Sequence, residues 1–118
     1  MSRARWHILR EGESLTATRA LPVRFDVAVS TVLPDGGRLR LAQQVRQDLW
    51  RALQALRGFA PVVQVTRRNG ACEVVAGGRV DGMHHKLRVE ERIAEMLADP
   101  ACRARWSAFA AYREVAHA

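Results

Sequence analysis

A tryptophan stands among arginine and glutamine side chains in the segment QQVRQDLWRALQ, residues 43–54. At about 100° per residue, one stripe of this segment is apolar, and Trp50 falls beside the stripe. Guanidinium groups suit phosphates and carboxylates, amides bond polar groups, and an indole can stack or anchor. We therefore take the following residues as a candidate surface for binding a protein partner or nucleic acid: Arg40, Arg46, Gln47, Trp50, Arg51, Gln54 and Arg57.

The same pattern also fits a helix face that is simply solvated. In that interpretation Trp50 lies flat at the edge of the core, beneath the aliphatic stems of its arginine neighbours. Surface tryptophans are often only half covered, so the sequence leaves both interpretations open. They differ in whether the Trp50 ring can be reached from outside.

Other residues that could bind a ligand or take part in catalysis lack the spacing that such a site requires. Gly36 and Gly37 precede arginines at a predicted helix start but match neither GxGxxG nor a P-loop, so we predict a turn. His84 and His85 lack an HxxxH or CxxC arrangement, so we predict no metal site and no cofactor. Because no serine has the context of a nucleophile elbow, we predict no catalytic residue and favour a non-enzyme.

Length and composition indicate one domain with a basic surface. The chain has 118 residues, 48% of them apolar, which suffices for a single core over residues 1–118. Its 19 basic and 12 acidic residues give a net charge of +7. This excess indicates an acidic partner, a polyanion or a need for solubility. No block of like charges occurs, so folding must assemble any basic surface from separate segments.

Neither the cysteines nor the N-terminus indicate export. Cys72 and Cys102 are isolated, so we expect reduced thiols rather than a disulfide framework. Charged residues interrupt the N-terminal MSRARWHILRE before a signal-peptide apolar region can form. No stretch approaches the ~18–20 apolar residues of a membrane helix. We therefore expect a cytoplasmic protein without membrane insertion.

Hydrophobic periodicity predicts an α+β fold. Gly58 is placed to take a left-handed position after the longest helix, and Pro61 to prevent its continuation. Asp99 and Pro100 are suited to end one helix and begin the next. The predicted elements are a strand at 5–10, a polar loop at 11–22, a strand at 24–33, a helix at 38–57, a hairpin within 61–82 that leads into a mobile loop at 76–82, and helices at 86–98 and 100–116.

The hairpin within this region has a predicted register. Asn69-Gly70 is the preferred type I′ turn, because both central residues need positive φ. The turn pairs Val65 with Val74 on an apolar face, and Thr66 with Glu73 on a wetter face. One face of the sheet is therefore core, and a one-residue slip would reverse the faces.

The predicted element order is β-β-α-β-β-α-α, with residues 1–22 partly irregular and 99–118 as the C-terminal helix. One-sided strands favour a small antiparallel sheet with helices packed on one face. The β-α-β-β-α part is that of a ferredoxin-like plait without its last strand, and the N-terminal strand is a candidate for that edge. This likeness is architectural and implies no function.

The leading functional hypothesis is a small, basic, non-enzymatic accessory protein that binds a larger, acidic protein partner. Its contact would be the Trp50 helix, an open sheet edge, or the C-terminal helix, whose apolar side chains point several ways. The alternative is a nucleic-acid-binding protein that uses the same arginines, with Trp50 or Trp6 for stacking. A third hypothesis is a small enzyme or ligand-binding domain with a pocket beside His84, His85 or Arg79. The sequence leaves the oligomeric state open.

Overall fold

A computed structural model of the chain describes residues 6–111, in which strands and helices follow the two hydrophobic periods of the sequence. The elements are β1 (His7–Glu11), β2 (Ser14–Thr18), β3 (Val27–Pro34), α1 (Arg38–Ala52), β4 (Phe59–Arg68), β5 (Ala71–Val80), α2 (Lys86–Ala98) and α3 (Pro100–Ala110).

The five strands form one antiparallel sheet in the order β1-β2-β4-β5-β3, with the three helices packed against it. The predicted α+β class and the helix-covered antiparallel sheet are confirmed. Strands β3, β4 and β5 with helices α1 and α2 make the ferredoxin-like part. Among residues 6–111, no helix combines the length and apolar character needed to cross a bilayer.

The β4–β5 hairpin has the predicted register. Val65 lies opposite Val74, and Thr66 lies opposite Glu73. Asn69 and Gly70 have φ of +53° and +73°, as a type I′ turn requires. Both valines are fully buried and belong to the core cluster, so the face of the hairpin that was predicted to be core is the buried one.

Helix α2 and the start of α3 also match the prediction. The buried stripe of α2 consists of Val89, Ile93, Met96 and Leu97. The side chain of Asp99 accepts a 2.9 Å hydrogen bond from the backbone N–H of Ala101. Pro100 occupies the first turn of α3, where its missing N–H costs nothing. The predicted continuation of α3 to residue 116 lies partly outside the described residues, which end at 111.

The prediction of a polar loop over residues 11–22 is wrong, because β2 lies within it. Gly12, with φ of +59°, turns the chain back so that β2 pairs with β1 and also with β4. Leu15 and Ala17 of β2 are buried in the core. Only these two apolar residues mark the strand, and Thr16 between them faces the other side, so the period-two signal is too short to detect.

The predicted mobile loop at 76–82 is also wrong over most of its length. Strand β5 continues to Val80, and Gly77 and Gly78 lie inside it, opposite β3 and β4. A Cβ added at Gly77 would overlap the carbonyl oxygen of Val27. The glycines therefore serve a close approach of backbones rather than flexibility.

Helix α1 is shorter than the predicted 38–57. It ends at Ala52, and residues 53–58 form turns that lead into β4. Leu53 is buried and Leu56 packs against the core, so apolar residues continue the helical spacing beyond the helix itself. Gly58 has the expected positive φ of +70° but lies in these turns, and Pro61 lies inside β4.

The N-terminal strand does not fill the vacant ferredoxin-like edge beside β3. The β1–β2 hairpin joins the opposite edge, next to β4. Side chains from the helices bond the outer edge of β3 instead. A Glu90 carboxylate oxygen accepts a 3.0 Å bond from the Ala28 N–H, and Arg103 Nη2 donates to the Val32 carbonyl at 2.7 Å. Because these side chains bond backbone groups of β3, they hinder the pairing of another strand at that edge.

Candidate partner-binding groove

Helix α1 and the β1–β2 hairpin form the two sides of a groove. The apolar stripe of α1 is buried against β2 and β4, so its polar flank is left beside the hairpin. The groove has a volume of about 480 Å³. We call it the tryptophan–arginine groove, and it is lined by Trp6, Arg19, Arg46, Gln47, Trp50 and Arg51.

Trp50 is 49% exposed, although it is one of the largest apolar side chains in the chain. Its neighbours on α1, Leu49 and Val45, are fully buried. The position of Trp50 just beside the apolar stripe therefore leaves about half of its surface open to the groove. An indole so placed can still bury apolar area against a partner.

Two guanidinium groups lie over the ring of Trp6. The Cζ atoms of Arg46 and Arg19 are 4.3 and 5.5 Å from the ring centroid. Both distances fall within the range of cation–π attraction. Trp6 is partly buried and packs against the core, so its ring holds both arginine side chains at the groove.

These two arginines concentrate positive charge. Burial lowers the pKa of Arg46, and the nearby charge of Arg19 lowers it further. Within residues 6–111, no carboxylate forms an ion pair with either guanidinium. An anion bound in the groove that both arginines line would offset their mutual repulsion and replace lost solvation.

Arg51 is electrostatically different because it shares its helix with Asp48. Arg51 Nη1 lies 3.7 Å from Asp48 Oδ1, while Arg105 Nη2 lies 3.0 Å from Asp48 Oδ2. Asp48 is only 8% exposed and also accepts a bond from Trp106. Part of the charge of Arg51 is therefore already balanced, and Arg46 and Arg19 are the stronger anion-binding groups.

The structure brings together four of the seven candidate residues. Arg46, Gln47, Trp50 and Arg51 line the groove. Arg40 lies elsewhere. Its guanidinium is 5.5 Å from the ring centroid of Phe109, and its Nη1 donates to the Phe109 carbonyl oxygen at 3.4 Å.

Gln54 and Arg57 do not belong to the helix face on which they were predicted. Both are exposed, and both lie in the turns that follow α1. Neither lines the groove. The error follows from the prediction of a helix five residues too long, since helical spacing cannot be applied beyond Ala52.

Trp6 and Arg19 are the groove residues that the candidate set lacked. They immediately flank the paired residues His7 and Thr18 at the open end of the β1–β2 hairpin. Their proximity depends on the hairpin register, because side chains across an antiparallel pair share a face. With β2 interpreted as loop, the sequence provided no means of bringing them together.

The remaining candidate groups have local structural roles. His85 Nδ1 accepts a bond from the backbone N–H of Arg88 and caps α2, and His84 Nδ1 lies 3.1 Å from the Gly82 carbonyl. Arg79 pairs with Asp81.

The backbone of α3 fills the space in front of the Gly36-Gly37 turn. The N–H of Gly37 donates to the Ala110 carbonyl at 2.8 Å. A Cβ at Gly36 would lie 2.8 Å from the same oxygen, so α3 closes the space in front of α1 where an anion would bind.

The two thiols are poor nucleophiles. Burial is the main cause that raises the pKa of Cys72, which lies among the fully buried residues. Burial likewise raises the pKa of the partly buried Cys102. Both thiols are thus held in the unreactive protonated form.

Comparison with known proteins adds no functional information to this geometry. No protein-family model matches the chain, and no curated protein or solved structure shows significant similarity to it.

Proposed function

We propose that this protein is a small, basic, non-enzymatic interaction protein that holds an acidic segment of a larger protein in the tryptophan–arginine groove. One observation carries the proposal. Arg19 and Arg46 lie over the Trp6 ring without a carboxylate partner among the described residues, next to the half-exposed ring of Trp50.

This combination suits a carboxylate-bearing chain that also carries an apolar group. The guanidinium groups can form charge-assisted hydrogen bonds with carboxylates, which are about twice as strong as neutral ones. Tryptophan and arginine are also the residues that most often dominate binding energy at protein interfaces. Gln47 adds a neutral donor and acceptor at the same wall.

A nucleic acid is less well supported as the ligand. Its backbone requires a continuous strip of basic side chains, and its bases require free aromatic faces. The Trp6 ring is already engaged by two guanidiniums. Many other arginines within residues 6–111 pair with carboxylates of the chain itself: Arg24, Arg67, Arg68, Arg79 and Arg105.

A titration with defined ligands tests the proposal. Tryptophan fluorescence is followed while the protein receives an end-blocked, glutamate-rich peptide or a single-stranded oligonucleotide of equal charge. We expect the peptide to bind more tightly and to change the emission of Trp50. Tighter binding of the oligonucleotide, with affinity falling steeply as salt rises, would favour the nucleic-acid alternative instead.

Two charge-reversal variants distinguish binding in the groove from general electrostatic attraction to the protein. Arg46→Glu changes a groove residue, whereas Arg57→Glu makes the same change in an exposed turn outside the groove. We expect Arg46→Glu to weaken peptide binding at least ~10-fold more than Arg57→Glu. Equal losses in both variants would mean that only the net charge of +7 attracts the peptide.

A further inference from the structure

Strand β1 forms one edge of the sheet, and within residues 6–111 no strand pairs with its outer side. Its apolar side chains are unusually open, with Ile8 and Leu9 exposed by 38% and 40%. The opposite edge, β3, differs because Glu90 and Arg103 bond its backbone. Within residues 6–111, side chains therefore protect the β3 edge from pairing with another strand, whereas the β1 edge remains available for pairing.

The turn of the β1–β2 hairpin determines which backbone groups of β1 point outward. Glu11 and Ser14 flank a two-residue turn, Gly12-Glu13. Gly12 has φ of +59°, and Glu13 does not have positive φ, which is the pattern of a type II′ turn. The residues flanking such a turn form a hydrogen-bonded pair.

Hydrogen-bonded and non-hydrogen-bonded pairs alternate along an antiparallel ladder. Counting from the turn, Leu9 directs its backbone groups toward β2, whereas Ile8 and Arg10 direct theirs away from the sheet. The backbone of these two residues can therefore bond a strand added at the edge.

The side chains of the same two residues lie on the face that carries the groove. Ile8 and Arg10 lie opposite the buried core residues Ala17 and Leu15, so they share the helix-covered face. Helix α1 packs on β2 and β4, and β1 projects beyond it. An added strand would place every second side chain on this face, beside Arg10 and along the wall that Arg46 forms.

We propose that the acidic segment binds as a sixth strand, antiparallel to β1, with acidic side chains at alternate positions on the groove side. This inference rests on the proposed function. The antiparallel direction follows the rest of the sheet, in which every pair is antiparallel. Backbone pairing supplies affinity and alternate side chains supply specificity, as in other cases of strand addition.

Charge favours an acidic segment over a second copy of the chain as the strand that pairs with β1. Self-pairing of β1 would bring two sets of the same cations, Arg10, Arg19 and Arg46, to one edge, and like charges oppose association. An acidic strand meets the same groups with opposite charge. We therefore assign the edge to an acidic partner segment.

Amide hydrogen exchange measured by NMR tests the pairing directly. The protein is compared with and without a short, end-blocked peptide of alternating glutamate and valine. The amides of Ile8 and Arg10 are expected to slow their exchange on binding, while Leu9, already bonded to β2, is the internal reference. Unchanged exchange at Ile8 and Arg10 in the peptide-saturated protein would overturn the sixth strand.

Two isomers of this peptide, N-methylated either at the glutamates or at the valines, test the same strand pairing. In an antiparallel strand the glutamates share the face of Ile8 and Arg10, so their N–H groups point at β1. N-methylation of the glutamates is expected to weaken binding at least ~10-fold, and N-methylation of the valines to have little effect. Equal effects of the two modifications would overturn the proposed pairing.

Variants of the protein separate this inference from the proposed function. Ile8→Pro removes an outward N–H and is compared with Ile8→Ala, which removes the same side chain but keeps the N–H; edge strands tolerate such a proline. We expect Ile8→Pro to bind the peptide about tenfold more weakly than Ile8→Ala. If the two bind equally while Arg46→Glu still weakens binding at least ~10-fold more than Arg57→Glu, the groove binds the acidic segment without strand addition.

Discussion

The indole Nε1 of Trp106 donates a 2.6 Å hydrogen bond to Oδ2 of Asp48, and this bond ties α3 to α1. Trp106 is fully buried and Asp48 nearly so. The carboxylate also lies within ion-pair distance of Arg51 and Arg105. A buried charge is tolerated only when donors surround it in this way. Trp50, on the same helix as Asp48, is half exposed, so the two tryptophans have opposite roles.

Replacing Trp106 with phenylalanine is expected to destabilise the fold by ~2–3 kcal/mol. The smaller phenyl ring leaves part of the buried volume empty, and Asp48 loses a charged-group hydrogen bond in a buried place. Urea denaturation measures the free energy of unfolding. The matched control is Trp50→Phe, for which we expect a change within about 0.5 kcal/mol. Similar losses in both variants would show that the Trp106–Asp48 bond contributes little.

Removing the exposed indole should separate binding from stability. Trp50→Ala is expected to lower the free energy of unfolding by only ~1–2 kcal/mol, because half of the ring is already in solvent. The same variant should bind an acidic peptide at least ~10-fold more weakly, since it loses the apolar anchor of the groove. Calorimetry and denaturant unfolding of one preparation provide both numbers. A stability loss of ~3–5 kcal/mol would instead identify Trp50 as a core residue.

A methyl group at Gly77 is expected to disrupt the β3–β5 pair. Its Cβ would overlap the Val27 carbonyl oxygen, and backbone atoms cannot move aside by changing rotamer. We expect Gly77→Ala to cost ~3 kcal/mol in denaturant unfolding. Gly12→Ala is the contrasting variant, because nothing lies within 4 Å of its Cβ and only the positive φ opposes it. Its expected cost is about 1 kcal/mol.

Asp26 should contribute a pH-dependent part of the stability. Hydrogen bonds from Arg24, and then from the backbone N–H of Val80, lower its pKa to about 2. Because the folded pKa lies below the unfolded value of about 3.9, the stabilisation is complete above pH ~4. It is lost as the pH falls toward 2 and the carboxylate is protonated in the folded state too.

The comparison of wild type with Asp26→Asn isolates most of this contribution, because acids that share no partner with Asp26 titrate alike in both proteins, whereas Asp81 shares Arg24 with it. The difference in their free energies of unfolding should be constant from pH 7 to 5 and shrink below pH 4. Thermal or urea unfolding across this range provides the measurement. A difference that stays unchanged down to pH 2 would exclude the inferred role of the Arg24 and Val80 bonds.

The elements with strong local signals were predicted correctly. Helix α2 has four buried residues at helical spacing, and the Asn69-Gly70 turn specifies its own register. Strand β2 was missed because two apolar residues alternating with polar ones cannot be distinguished from a loop until a neighbouring strand pairs with them. The end of α1 was misplaced because Leu53 and Leu56 keep helical spacing while contacting the core from turns.

For the candidate groove, local periodicity was enough to place Arg46, Gln47, Trp50 and Arg51 together, since they share one flank of a helix. It could not add Trp6 and Arg19, which come from a separate hairpin. Composition and hydrophobic pattern alone determine that the chain makes a basic α+β fold with an amphipathic central helix. Contacts between residues far apart in sequence determine which arginines lie together and which carboxylates pair with them. They also determine which sheet edge remains without a partner strand. Such contacts are set by strand register and helix packing, so only the tertiary structure decides them.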